Sequence, residues 1–143
     1  MRLTVITRCA LLVTACFAGG CGHTPGGKAT TWVLRDGTVV RFFKPSGPVA
    51  HPQESVKVLE VTRPGGPASE YTFGTNHGGY SWVELRVNTD ESVVWLVDTD
   101  ARYMKSGRRV GCVLTLATGE FLDQPRVLPA GVGEDTGAVV EPQ

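Results

Sequence analysis

Tyr80-Ser81-Trp82-Val83-Glu84-Leu85-Arg86-Val87, then Asn88-Thr89-Asp90-Glu91, then Ser92-Val93-Val94-Trp95-Leu96-Val97 is the stretch that decides the fold. Its first part alternates with a period of two: Val83, Leu85 and Val87 share one side of an extended chain, while Tyr80, Trp82, Glu84 and Arg86 share the other. The aliphatic set is predicted to face a core. Asn88 to Glu91 supplies a turn, and Ser92 to Val97 is an unbroken β-branched and aromatic run, the pattern of a strand covered on both sides. Two strands of this kind joined by four polar residues form a hairpin.

The same grammar extends in both directions. Upstream, Thr30 to Leu34 and Thr38 to Phe43 flank Asp36-Gly37, whose tolerance of positive φ suits a tight primed turn. Lys44 to Pro52 holds three prolines that cannot donate to a ladder and reads as a surface loop. Val56 to Thr62 is a strand, Arg63-Pro64-Gly65-Gly66-Pro67 breaks it, and Glu70 to Phe73 resumes it. Downstream, Asp98 to Gly107 is either a polar loop or a short helical turn capped by Thr99. Arg109 to Leu116 and Glu120 to Leu122 form a hairpin around Thr118-Gly119, and Arg126 to Leu128 reads as a short edge strand between Pro125 and Pro129. About eight short strands with no helical period predict an all-β domain, a small antiparallel β-sandwich or closed β-barrel. The β domain is assigned to residues 30–129. Residues 130–143 lack periodicity and are expected to be a disordered tail.

The N-terminus follows a different rule. Arg2 and Arg8 precede a short uncharged run from Cys9 to Gly20, too short for the roughly 20 apolar residues that a membrane span needs. Ala18-Gly19-Gly20-Cys21 resembles the lipobox of bacterial lipoproteins, although Ala18 stands where that motif usually has Leu. Val13-Thr14-Ala15-Cys16 is a competing match. Cys21 is preferred because Gly22-His23-Thr24-Pro25-Gly26-Gly27 follows it as a tether. The resemblance covers the signal alone. It implies that residues 1–20 are a cleaved signal peptide, that Cys21 carries diacylglycerol and palmitate, and that residues 21–29 are a flexible tether. It further implies a domain outside the cytoplasm, lipid-anchored to a cell membrane or outer membrane. Gly22 after the cysteine permits the outer membrane, and a single-membraned host is equally allowed.

Composition excludes several functions. The chain has 14 basic and 14 acidic residues, and loss of Arg2 and Arg8 with the leader tips the balance to net acidic. Nucleic acid, which demands clustered cations, is a poor partner. Of four cysteines, Cys9, Cys16 and Cys21 belong to the signal region, so Cys112 is the one thiol of the mature body, set in the apolar run Val110 to Leu114. It reads as a small buried hydrophobe, and no disulfide framework is available.

No catalytic motif is recognisable. His23, His51 and His77 have no ligand partner at local spacing, and no metal or other cofactor is implied. Asp90, Glu91, Asp98 and Asp100 cluster around one strand but lack a calcium-loop pattern and read as solvated loop acids. Ser81 lies on the Val83 side of its strand, outside any nucleophile elbow. The segment from Asn76 to Trp82 stands out: glycines flank His77, and Tyr80 and Trp82 share the side opposite the aliphatic set. His77, Tyr80 and Trp82 are therefore the candidate contact for a sugar ring or protein partner, unless the two aromatics complete a second core layer. Lys105-Ser106-Gly107-Arg108-Arg109 is a basic cluster that reads as a solvated turn. The leading expectation is a non-enzymatic, membrane-anchored binding module of the cell envelope for a protein or glycan. The alternatives are an envelope hydrolase using His77 or the Asp98 and Asp100 pair, or an inhibitor, immunity or exclusion lipoprotein.

Overall fold

The computed structural model describes residues 23–46, 55–75, 83–98 and 109–143. Among them there are nine strands and no helix: β1 (Thr30–Val33), β2 (Val39–Phe43), β3 (Ser55–Thr62), β4 (Ala68–Thr75), β5 (Val83–Val87), β6 (Val93–Asp98), β7 (Val110–Thr115), β8 (Glu120–Asp123) and β9 (Ala138–Val140). They form two antiparallel sheets, ordered β1-β2-β3-β4 and β8-β7-β6-β5-β9. Among the described residues no ladder joins the two, so the choice between sandwich and barrel resolves to a sandwich.

Alternation builds the layer between the sheets. Trp32, Val40, Phe42, Leu59, Val61 and Phe73 project from one sheet onto Leu85, Val87, Val94, Leu96, Cys112 and Leu114 of the other. Val83, Leu85 and Val87 face this core as their spacing predicts, and Cys112 is fully buried within it. At one long side Tyr71 stacks on Phe121 at 5.2 Å. At the other, the Gln143 amide donates to the Thr31 carbonyl at 2.9 Å.

The turns decide the register. The first hairpin is not the two-residue primed turn expected of Asp36-Gly37. Gly37 N–H donates to Leu34 O and Leu34 N–H to Thr38 O, which closes a three-residue loop with positive φ at Gly37 (86°) and not at Asp36. The Asp36 carboxylate accepts instead from the Thr38 N–H and hydroxyl at 2.8 and 2.9 Å. Between β6 and β7 the register slips at Leu96/Val97, leaving Gly111 unpaired. That bulge turns Val110 to the outer face beside Val113.

Three expectations are corrected. Residues 130–143 are not a disordered tail throughout: β9 pairs with β5, matching Val140 to Leu85 and Ala138 to Val87. The reason lies on the outer face of β6 and β7, where Trp95, Val97, Val110 and Val113 are buried under Leu128 and Val132. A strand apolar on both sides needs a third layer, and the C-terminal segment provides it. Trp95 Nε1 donates to Gly133 O at 2.9 Å, Arg109 N–H to Glu134 Oε1 at 2.8 Å, and Arg86 to Thr136 O at 3.2 Å. Arg126 to Leu128 is irregular rather than an edge strand. Leu128 packs against this outer apolar cluster, while Val127 stays 84% exposed. Finally, the described part of the supposed tether is docked: Thr24 and Gly26 hydrogen-bond with Ser46 and Lys44, and Pro25 bridges to Pro45.

Candidate functional site

The two ends of the sandwich are built differently. At one end every connection within a sheet is a short turn: residues 34–38, 63–67, 88–92 and 116–119. This end is stitched across the sheets. Arg35 Nε donates to Glu91 Oε1 and its backbone N–H to Glu91 Oε2, both at 2.8 Å, and Arg35 also reaches Thr89 O. Arg63 likewise donates to the Leu116 carbonyl across the gap. Glu91 adopts a left-handed φ of 58° to meet Arg35, while Asn88 and Asp90 cap the Val93 and Ser92 amides of the same turn.

At the opposite end, the long connections between Phe43 and Ser55, Thr75 and Val83, and Asp98 and Val110 leave and rejoin the sheets. Here the inward-facing rows finish on charged residues. Lys57 continues the Leu59 and Val61 row and is fully buried. Asp98 continues the Val94 and Leu96 row and is 1% exposed, with its N–H donating to Arg109 O at 2.8 Å. Burial, aided by the neighbouring positive charge of Lys44, pushes the Lys57 ammonium down to about 8. Burial also pushes the Cys112 thiol far above its usual range, which keeps it protonated and unreactive.

His77, Tyr80 and Trp82 belong to the connection between β4 and β5, and they lie outside the described residues, as do Asp100 and the lipidation candidate Cys21. Of the Asp98 and Asp100 pair, Asp98 is not a solvated loop acid but closes a core row. His23 is tied to the fold: its backbone N–H and Nδ1 both meet the Glu70 carboxylate, at 2.8 and 2.7 Å. Among the described residues no three His, Cys, Asp or Glu side chains could share a metal ion.

The buried Lys57 escaped sequence reading, although the signal was there. Lys57, Leu59 and Val61 have the spacing of a single face, and the same parity links Asp98 to Leu96. Clefts exist elsewhere too. One of about 320 Å³ opens between the β3–β4 and β7–β8 turns, lined by Arg63, Ser69, Tyr71 and Thr118. It is bounded largely by turns.

Comparison with known protein families, with curated proteins and with solved structures gives no significant match.

Proposed function

We propose that the chain is a lipid-anchored cell-envelope protein whose sandwich is a non-enzymatic binding module, contacting a protein or glycan through the end that carries the long connections. The observation behind this reading is the division of labour between the ends. One is closed by cross-sheet hydrogen bonds, while the other gathers three long connections, among them the one holding His77, Tyr80 and Trp82. Connections held on a rigid two-sheet frame are a common way to present a recognition surface, because the frame carries stability and the connections are left to vary. The apolar leader and lipobox-like Ala18-Gly19-Gly20-Cys21 support the envelope location. No helix among the described residues is long and apolar enough to cross a membrane.

Binding of the acylated full-length protein to envelope glycan fragments and to cross-linked envelope proteins tests the reading. Tyr80→Ala and Trp82→Ala are expected to weaken binding at least tenfold, while Ala117→Ser, in the exposed β7–β8 turn at the opposite end, leaves it intact. Hydrolytic turnover that disappears in His77→Ala would overturn the non-enzymatic assignment.

A further inference from the structure

The anchor reading gives the domain little room to stand away from a membrane. Only Gly22 separates Cys21 from a residue held by the fold, since the His23 N–H donates to both Glu70 oxygens, at 2.8 and 3.1 Å. The next residues are fixed as well, through Ser46 N–H to Thr24 O and Gly26 N–H to Lys44 O, each 2.7 Å. Two residues of extended chain span about 7 Å, so a lipid on Cys21 must enter the bilayer within that reach of Glu70.

Glu70 pairs with Glu60 across β3 and β4, and Glu60 with Arg41 across β2 and β3. These three positions lie on the outer face of the four-stranded sheet, the side away from Leu59, Val61 and Phe42. The carboxylates on this face have local partners: Glu70 meets His23 Nδ1 at 2.7 Å, and Glu60 pairs with Arg41 at 2.8 Å. Val56, on the same side of β3, is 46% exposed. Lys28, within the docked N-terminal segment, is exposed. The surface next to the anchor thus offers the Lys28 cation, an exposed Val side chain and an acid paired with Arg41, a combination compatible with anionic headgroups.

We infer that the side of the sandwich formed by the outer face of the β1-β2-β3-β4 sheet and the N-terminal segment docked against it faces the lipid surface, held there by the His23–Glu70 clamp, while the five-stranded sheet and its C-terminal layer face away. This orientation rests on the lipid-anchor reading of Cys21. It places the strands along the membrane and leaves the end with the long connections open at the side.

The test uses the full-length acylated protein in vesicles of phosphatidylcholine and phosphatidylglycerol carrying a headgroup spin label. A fluorophore is attached at Val56→Cys or at Val127→Cys, with the acyl group on Cys21 verified by mass in the same sample. Quenching at position 56 is expected to exceed that at position 127 at least threefold, and Glu70→Ala to bring the ratio close to one. Equal quenching on an acylated chain would overturn the orientation and leave the anchor standing. A ratio unchanged by Glu70→Ala would overturn the clamp, and a chain without an acyl group would overturn anchor and orientation together.

Discussion

Replacing Gly137 by Ala tests whether the C-terminal strand is part of the fold or an accessory to it. Gly137 sits at φ +76°, where a side chain costs roughly 1–2 kcal/mol. An added Cβ would lie 2.4 Å from Trp95 Cη2 and 2.6 Å from the Val87 carbonyl oxygen, more than an ångström inside ordinary contact. Neither neighbour can retreat. Trp95 is fully buried and tied through Nε1 to Gly133 O, and Val87 belongs to the β5–β6 ladder. The segment must therefore shift, weakening its pairing with β5 at about 1 kcal/mol per hydrogen bond and the packing of Val140 on Leu85. A total near 3 kcal/mol is expected, or a fall in Tm of roughly 10 °C at about 4 °C per kcal/mol for a domain of this size. Gly65→Ala separates the two causes. Its φ is +69° but no atom lies within 4 Å of the added Cβ, so only the backbone cost should register. Thermal unfolding and amide exchange, with protection lost in β5 and β9 but kept in β2 and β3, are the readouts. A Gly137→Ala protein melting within 2 °C of wild type with β5 still protected would refute the third layer.

Two further predictions follow from buried groups. Lys57 is protonated more readily in the unfolded chain, near its ordinary 10.5, than in the fold, at about 8. Its cost is complete below pH 8, and stability should rise from pH 8 to 10.5 as the unfolded chain alone continues to hold the proton. Lys57→Met should therefore stabilise the protein at pH 7, by at most about 3 kcal/mol, with the gain fading between pH 8 and pH 10.5. Urea titrations across that range check it, and a gain independent of pH would contradict it. Cys112, buried between the sheets with its ionisation suppressed, should resist a thiol reagent at pH 8 in the native protein and react fully in denaturant. Prompt native reaction would show that the core opens at that point.

The hairpins were legible in the sequence because period-two alternation and turn residues are local. Val83, Leu85 and Val87, the Asn88 to Glu91 turn, and the Thr118-Gly119 turn all behave as their spacing demands. What was not legible was long-range. Trp95 and Val97 announce a strand buried on both faces, yet nothing local says that residues 125–140, low in periodicity and rich in Gly, supply the cover. Their structure comes from partners 38 residues away, as in Trp95 to Gly133, rather than from propensity. The same holds for His23, whose partner Glu70 is 47 residues distant. At the candidate site, the parity of Lys57 and Asp98 with their apolar neighbours was readable. Their placement at the end opposite the Arg35–Glu91 stitch required the sheet topology.

The mass of the N-terminal peptide from membrane-extracted protein bears most directly on the envelope assignment. A peptide beginning at Cys21, lacking residues 1–20 and heavier by a diacylglyceryl group, is the expected result. A peptide that still begins at Met1 with unmodified cysteines would contradict it, and the membrane-facing sheet would fall with it.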